Sequence, residues 1–279
     1  MKSIKNIVID GKHSKPILID VSFENNFKKK PLVVFCHGYK GYKDWGAFDL
    51  MSPTFVENEL FLLKFNFSHN GGTIDEPIDF PDLEAFGNNN FSKEQDDLGS
   101  VLDWILSNDE YIDEIDTRDI TLIGHSRGGG AVILKAAVDK RITKLVTWAA
   151  VSDYKSRFPV GPALEYWKKE GVAYIENGRT LQQMPHYIQF YNDFVENENK
   201  LTIRTAAESL QIPHLVVHGT EDATVPLIEA ESIHKWSSNS ELFLIPNGDH
   251  GFGAKQPWEE VELPKDFLKV LEKTIQFIK

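Results

Sequence analysis

The chain has 279 residues and is 41% hydrophobic, which allows a substantial buried core and excludes a disordered or fibrous protein. A formal net charge of −12 argues against nucleic acid or an anionic membrane as the main partner, since both select for clustered lysine and arginine. With one cysteine, Cys36, the chain can form neither an intramolecular disulfide nor a thiolate metal cluster.

The first thirty residues contain two runs of alternating polar and apolar residues, at positions 4–10 and 16–23. Gly11 and the turn-forming residues that follow it separate these runs. This pattern is typical of an antiparallel hairpin.

The pattern then changes to short, nearly continuous apolar runs, which are typical of strands buried on both faces. These runs are residues 31–36, 61–65, 119–123, 145–149, 214–217 and 242–245. Segments with helical spacing lie between them, notably residues 95–106, 131–138, 228–236 and 267–278. The alternation predicts an α/β fold in which helices cover both faces of a doubly wound, mostly parallel sheet.

Residues 154–211 interrupt this alternation. The interval is long and rich in aromatic residues, and it contains an Asn-Gly pair at 177–178 that favours a hairpin. We interpret it as a small cap inserted into a single domain of residues 1–279.

The sequence Gly-His-Ser-Arg-Gly-Gly-Gly at 124–130 joins a predicted strand to a predicted helix. A tight turn, a phosphate-binding loop or a strained elbow that presents Ser126 as a nucleophile would each use glycine here. A phosphate-binding loop needs a different glycine spacing, or a closing Lys-Ser/Thr pair. The residues found elsewhere in the chain must decide between the other two.

Enzymes with a nucleophile elbow carry an acidic residue and then a histidine later in the chain. Asp222 follows the predicted strand 214–217, and His250 follows the predicted strand 242–245. Ser126, Asp222 and His250 thus occur in the required order, each just beyond a strand. A histidine activates a serine hydroxyl by accepting its proton, and a carboxylate orients and stabilises that histidine.

An anionic intermediate also needs hydrogen-bond donors. We expect the backbone N–H groups of Arg127, which follows the nucleophile, and of Tyr39, in the loop after strand 31–36, to form an oxyanion hole. Gly38 would let that loop turn inward.

Two acidic neighbours compete with these assignments. Glu221 adjoins Asp222, and Asp249 adjoins His250; Asp249 is disfavoured because adjacent side chains rarely face one another. His69, which follows strand 61–65, and Trp167, in the insertion, are candidate substrate contacts, although an aromatic residue such as Trp167 more often belongs to the core.

No spacing characteristic of a metal site or of an FAD or NAD site is present, so we expect neither a metal nor a cofactor. No signal-peptide pattern or apolar stretch of membrane-spanning length occurs, so a cytoplasmic protein is expected. The predicted partner is a small-molecule acyl substrate. The sequence does not indicate an oligomeric state.

The motifs at 37–38, 124–129, 218–226 and 248–252 together resemble the α/β-hydrolase superfamily, from about residue 31 to the C-terminus. Within it, the chain is similar to the dienelactone-hydrolase, cinnamoyl-esterase and acylaminoacyl-peptidase-like groups. These groups carry aspartate at the position of Asp222, which also disfavours Glu221, and they use no cofactor. The resemblance implies hydrolysis of a carboxylic ester or a related acyl bond.

One feature limits this resemblance, and one segment has no assigned role. Dienelactone hydrolases commonly carry a cysteine nucleophile, so Ser126 argues against a lactone-specific enzyme. The segment Gly-Tyr-Lys-Asp-Trp-Gly at 41–46 follows the oxyanion loop, and the sequence reveals no purpose for it.

Besides an esterase, two other functions are possible. An aminopeptidase would need an acidic anchor for the substrate N-terminus, for which Asp153 and Glu165 are candidates. A binding protein on a hydrolase scaffold would not need the Ser126, Asp222 and His250 set.

Overall fold

The computed structural model describes residues 1–279 and contains an eight-stranded sheet and a separate two-stranded sheet. The strands are β1 (Lys2–Asp10), β2 (Pro16–Phe23), β3 (Lys30–Cys36), β4 (Phe61–Asn66), β5 (Ile115–His125), β6 (Lys144–Trp148), β7 (Val172–Glu176), β8 (Gln183–Tyr187), β9 (His214–Gly219) and β10 (Ser240–Ile245). All six short apolar runs are strands. β5 begins at Ile115, before the predicted start at residue 119. Residues 116–118 are polar and are not buried, so they lack the apolar pattern of a strand.

The large sheet has the order β1-β2-β4-β3-β5-β6-β9-β10. β2 pairs antiparallel with both β1 and β4, and every other neighbouring pair is parallel, so β2 alone runs in the opposite direction. The predicted N-terminal hairpin and the predicted mostly parallel sheet are both confirmed. The pairing of β1 with β2 is irregular between Ile4 and Ile7, where Asn6 adopts a positive φ of 56°.

Nine α-helices accompany the sheets. They are α1 (Ser52–Glu57), α2 (Leu83–Gly87), α3 (Phe91–Leu106), α4 (Arg127–Val138), α5 (Pro162–Glu170), α6 (Gln189–Leu201), α7 (Ile203–Ser209), α8 (Leu227–Trp236) and α9 (Lys265–Ile278). Buried side chains of α3, α4, α7 and α8 pack on one face of the large sheet, and those of α1 and α9 pack on the other. This is a doubly wound α/β fold. No helix combines the length and the apolar character needed to cross a membrane.

Residues 154–211 contain the small sheet of β7 and β8, which pair antiparallel, between α5 and α6. The Asn-Gly pair does not form a two-residue turn. Asn177 instead begins a longer loop, and its side chain accepts hydrogen bonds from the N–H groups of Arg179 and Thr180. α7, near the end of the interval, packs on α4 with the helices that cover the sheet.

The chain changes direction across the sheet at β3. β4 lies on one side of β3 and β5 on the other, and both pair with it in parallel. Open α/β sheets bind ligands outside the carboxyl ends of strands at such a switch point. The loops after β3 and β5 carry the residues predicted for the oxyanion hole and the nucleophile.

Five histidines lie in surroundings that favour the neutral ring. Burial is the main cause in each, and it lowers the pKa to about 4 or about 3, compared with the usual 6.5. These residues are His37, His69, His125, His186 and His214. The pKa of Asp97 shifts in the opposite direction. Burial raises the pKa of its carboxyl to about 6, so this group keeps its proton to a higher pH than in the unfolded chain.

Stability is expected to fall as the pH is lowered from about 6.5 to about 4. In this window the histidines of the unfolded chain bind protons that the five rings do not bind in the folded protein, and Asp97 offsets only part of this difference. Urea unfolding followed by tryptophan fluorescence at several pH values measures the effect. An unchanged free energy of unfolding between pH 7 and pH 4.5 would contradict the assignment of neutral rings.

Candidate active site

Ser126 forms the turn between β5 and α4. Its φ of 57° and ψ of −121° are unfavourable for a residue with a side chain. Two backbone hydrogen bonds hold the turn: Ser126 N–H donates to Trp148 O at 2.8 Å, and Gly129 N–H donates to Ser126 O at 3.0 Å. Ser126 lines an open cleft. The residues at 124–130 thus adopt the strained elbow that the sequence suggested.

The elbow packs directly against the loop after β3. A Cβ added to Gly128 would lie 2.4 Å from His37 O, and one added to Gly38 would lie 2.8 Å from Ser126 Cβ. Both distances are far below van der Waals contact, so no side chain fits between the two segments. Glycine at these positions allows the two backbones to touch.

Ser126, His250 and Asp222 form one chain of hydrogen bonds. Ser126 Oγ lies 3.0 Å from His250 Nε2, and His250 Nδ1 lies 2.7 Å from Asp222 Oδ2. The other carboxylate oxygen of Asp222 accepts the N–H groups of Thr224 and Val225, each at 2.8 Å. With Nδ1–H donating to the carboxylate, Nε2 is left as an acceptor for the serine hydroxyl.

Asp222 is buried, and burial raises its pKa. The hydrogen bond from His250 and the two backbone N–H groups outweigh that effect and hold the pKa of Asp222 below its usual value. The carboxylate is therefore charged, which suits it to stabilise a protonated His250.

The two competing carboxylates do not contact the ring of His250. Glu221 is exposed and forms no side-chain hydrogen bond. Asp249 uses one oxygen to accept the N–H groups of Gly251 and Gly253, so it shapes the loop that carries His250. Asp222 is the one carboxylate that bonds to His250.

Three further histidines fix the loops around this chain. His125 donates from Nε2 to the backbone oxygen of His250 at 2.9 Å. His218 donates from Nε2 to Val225 O at 2.8 Å. His37 donates from Nδ1 to Gly38 O, while its Nε2 accepts the N–H of Phe67. These rings position the loops that carry the site.

The expected oxyanion donors lie beside Ser126. Arg127 is the first residue of α4, where a backbone N–H has no intrahelical acceptor. The backbone N–H of Tyr39 forms no hydrogen bond within the protein. Gly38 brings the loop that carries Tyr39 against Ser126.

The side chain of Arg127 joins the elbow to the insertion, a contact that sequence reasoning missed. Its guanidinium forms an ion pair with Glu94 of α3 and lies 5.0–5.5 Å from the ring centres of Tyr39, Phe91 and Phe190. Burial lowers the pKa of Arg127, but the charge of Glu94 outweighs it and the pKa lies above its usual value. Glu94 could have been found only as a charged residue within the first turn of α3, one position before the predicted helix.

Tyr39 makes a second link to the insertion. Its hydroxyl donates to His186 Nε2 at 2.7 Å, and His186 donates from Nδ1 to Met184 O. Both residues lie on β8. The oxyanion loop is therefore fixed to the cap as well as to the sheet.

The cleft beside Ser126 has a volume of about 550 Å³. Trp45 and Phe48 form an apolar part of its wall, and Asn177 and Arg179 of the insertion form a polar part. A much smaller pocket of about 20 Å³ lies between Arg127, His186 and Phe190. This volume is about what one water molecule needs. No group of three or more His, Cys, Asp or Glu side chains is arranged to hold a metal ion.

His69 does not line this cleft, contrary to the expectation of a substrate contact. It is buried, its Nδ1 lies 2.7 Å from Ser68 Oγ, and its ring packs edge-on towards His13 at 6.4 Å. Ser68 N–H in turn donates to Asp97 of α3. These bonds place His69 against the turn of the N-terminal hairpin.

Trp167 is also absent from the cleft wall and belongs to the core under the insertion. Only 3% of it is exposed, its Nε1–H donates to His186 O at 2.7 Å, and its ring lies near Phe158 and Tyr191. Trp167 is the one buried residue of α5, and its hydrogen bond to His186 joins this helix to β8. It packs the cap.

Comparison with known proteins identifies the family. The model of the alpha/beta hydrolase family matches residues 33–262. The chain belongs to the α/β-hydrolase family. This membership confirms the resemblance carried by the motifs, and the matched residues include Ser126, Asp222 and His250.

Relatives of this α/β-hydrolase family member agree in fold. Serine hydrolase BPHL of Homo sapiens is 29% identical over 161 residues. These residues are 54% of this chain and 55% of that protein. The chain therefore spans about half the length of the curated relatives it matches. Est1E from Butyrivibrio proteoclasticus, solved with ferulic acid bound, has a TM-score of 0.73 at 18% identity over 98% of this chain and 97% of its own. The alpha/beta hydrolase GrgF from Penicillium sp. sh18 has a TM-score of 0.75 at 13% identity over 100% and 98%.

Replacing Glu94 with glutamine is expected to lower the free energy of unfolding by about 3 kcal/mol, because the buried charge of Arg127 loses its counterion. Glu208→Gln, which removes an exposed partner of Arg204, provides the matched control and is expected to change it by under about 0.5 kcal/mol. Urea unfolding measures both variants. Equal effects would show that the Arg127–Glu94 pair adds nothing beyond a surface ion pair.

Proposed function

We propose that this protein is a serine hydrolase that cleaves a carboxylic ester or a related acyl bond through an acyl-enzyme intermediate. The observation that carries the proposal is the continuous hydrogen-bond chain from Ser126 Oγ through His250 to Asp222, at the wall of an open cleft. A lone Ser-His contact occurs in many proteins. A strained serine, a correctly oriented histidine, a charged carboxylate and two free backbone donors together support a nucleophilic site.

In the acylation step, Ser126 Oγ attacks the carbonyl carbon while His250 Nε2 accepts the hydroxyl proton. Asp222 stabilises the resulting imidazolium through its bond to Nδ1. The Tyr39 and Arg127 N–H groups bind the oxyanion of the tetrahedral intermediate. When the intermediate collapses, the bond to the leaving group breaks and His250 returns its proton to the leaving oxygen.

Deacylation repeats these steps with water in place of the serine hydroxyl. His250 takes a proton from water, the hydroxide attacks the acyl carbon, and the same two donors bind the oxyanion. Collapse then releases the carboxylic acid, and the proton returns to Ser126.

The cleft supports a small-molecule substrate, since its volume of about 550 Å³ falls within the usual range for such ligands. Its lining combines apolar side chains, such as Trp45 and Phe48, with polar ones, such as Asn177 and Arg179. This mixed lining suits an ester that has both an apolar and a polar part.

Peptide hydrolysis by an aminopeptidase is supported less well. Asp153 accepts the N–H groups of Lys155 and Ser156, and Glu165 pairs with Lys168, so both proposed anchors are used locally and neither lines the cleft. Glu221 and Asp249 do line the cleft. Because Asp249 already accepts two backbone N–H groups, Glu221 is the carboxylate with no bond in the protein that a substrate ammonium group would meet there. Amide substrates therefore belong in the experimental panel.

Ser126→Ala is expected to lower kcat for an activated ester by about 10⁶-fold, as loss of the nucleophile does in serine proteases. It should also abolish covalent labelling by a fluorophosphonate probe. Ser68→Ala is the matched control, since Ser68 is likewise a buried serine beyond a strand whose hydroxyl lies next to a histidine. If the wild type itself does not react with the probe, the protein is a binding protein on a hydrolase scaffold. Labelling that survives Ser126→Ala would place the nucleophile at another residue.

A panel of p-nitrophenyl esters and aminoacyl anilides is expected to give higher kcat/KM for the esters. The reason is that neither Asp153 nor Glu165 lines the cleft to hold the ammonium group of an aminoacyl substrate. Steady-state kinetics with each substrate measures this order. Preference for the anilides, removed by Glu221→Gln, would favour the aminopeptidase instead.

A further inference from the structure

The segment Gly41–Gly46, whose purpose the sequence did not reveal, contains an almost completely buried lysine. The side chain of Lys43 is 2% exposed, and its Nζ lies 2.8 Å from Asp20 Oδ2 of β2. It also pairs with the neighbouring Asp44. A lysine this deeply buried is unusual in a protein.

The contacts of Lys43 extend into a chain of alternating charges. Asp44 also accepts a hydrogen bond at 2.6 Å from Lys64 of β4, whose side chain is likewise 2% exposed. We call Asp20, Lys43, Asp44 and Lys64 the Lys43 network. Two cations and two anions make it neutral overall. Burial raises the pKa of Asp44, but Lys64 and Lys43 outweigh that effect and hold the pKa below its usual value, so the carboxylate is charged.

Backbone contacts connect this network to the loop that carries Tyr39. Lys43 N–H donates to Asn66 Oδ1 at 2.7 Å, and Asn70 Nδ2 donates to Gly41 O at 3.2 Å. Gly41 N–H donates to Gly38 O at 3.1 Å, closing the turn that contains Tyr39. A displacement of Lys43 would therefore pass through Gly41 to the proposed oxyanion donor.

Stability alone does not account for a buried network of this kind. Well-packed apolar side chains of similar volume are often as stabilising as a buried ion pair, or more so. A buried ion pair restricts movement more than apolar packing does. An ammonium group that shifts away from its carboxylates is left unpaired in the interior, which is costly. The network thus fixes the position of the loop.

We propose that Lys43 is a positioning residue for the oxyanion hole, acting through the Lys43 network to hold the Tyr39 backbone N–H beside Ser126. This inference rests on the proposed serine-hydrolase function. It gives the segment 41–46 a role in the rate of the reaction without any contact with the substrate by Lys43.

The chain offers a matched control at the opposite end of β3. Lys30, the first residue of that strand, forms a buried pair with Glu114 at 2.7 Å, and both side chains are 3% exposed. This pair resembles Lys43 with Asp20 in burial and geometry, but it lies at the end of the sheet away from the cleft. Lys30→Met and Lys43→Met should therefore destabilise the fold similarly and differ in catalysis.

The experiment compares kcat and KM of the wild type and both variants for a p-nitrophenyl ester, at a temperature where thermal unfolding shows each to be folded. Lys43→Met is expected to lower kcat by about 10²-fold, the scale of a displacement of roughly 1 Å at a reacting centre, with KM changed less than about twofold. Inhibition by phenylboronic acid, whose tetrahedral serine adduct carries an anionic oxygen, should weaken in parallel. Lys30→Met should leave kcat and inhibition within about twofold of the wild type.

Asp44→Asn serves as a second, nearly isosteric variant if Lys43→Met does not fold, with Glu114→Gln as its control. Loss of kcat in both members of a matched pair, or in neither, would overturn the positioning role. A wild type without esterase activity or fluorophosphonate labelling would instead refute the proposed function. The two failures are therefore distinguishable.

Discussion

The site depends on one contact, the close approach of the loop after β3 to the turn after β5. Gly128 meets the backbone of His37, and Gly38 meets the side chain of Ser126, with no space for a Cβ at either glycine. This contact brings a strained serine and the loop that carries Tyr39 together. Every other part of the site, including the Asp222 and His250 loops, is arranged around that contact.

The sequence was sufficient to predict the parts of the fold and site that depend on local pattern. Apolar runs identified each parallel strand of the large sheet, and the order of Ser126, Asp222 and His250 followed from motifs at strand ends. Helices α1, α2, α5, α6 and α7 were not predicted, because they are short or carry few buried residues and so lack a strong apolar period. The inserted segment was recognised by composition rather than by its elements.

Contacts between residues distant in sequence could not be predicted in this way. His69 follows a strand as Asp222 does, yet the loop beyond β4 turns it towards the N-terminal hairpin through Ser68 and Asp97. Lys43 and Asp44 have the composition of a solvated loop, and only the three-dimensional neighbourhood of Asp20 and Lys64 shows them to be buried. A charged residue carries no periodic signal when its partner lies on another strand.

The irregular pairing of β1 has a consequence for how this molecule behaves at high concentration. β1 is an edge strand of the large sheet, and an edge strand can recruit a strand from another molecule through its unpaired backbone groups. At Asn6 the strand is kinked, and the Asn6 N–H donates to Asp20 at 2.8 Å. Lys2 and Lys5 form ion pairs with Glu110 and Asp49 along the same strand. A bent border with charged side chains is a poor template for intermolecular β-pairing, so this margin of the sheet resists aggregation.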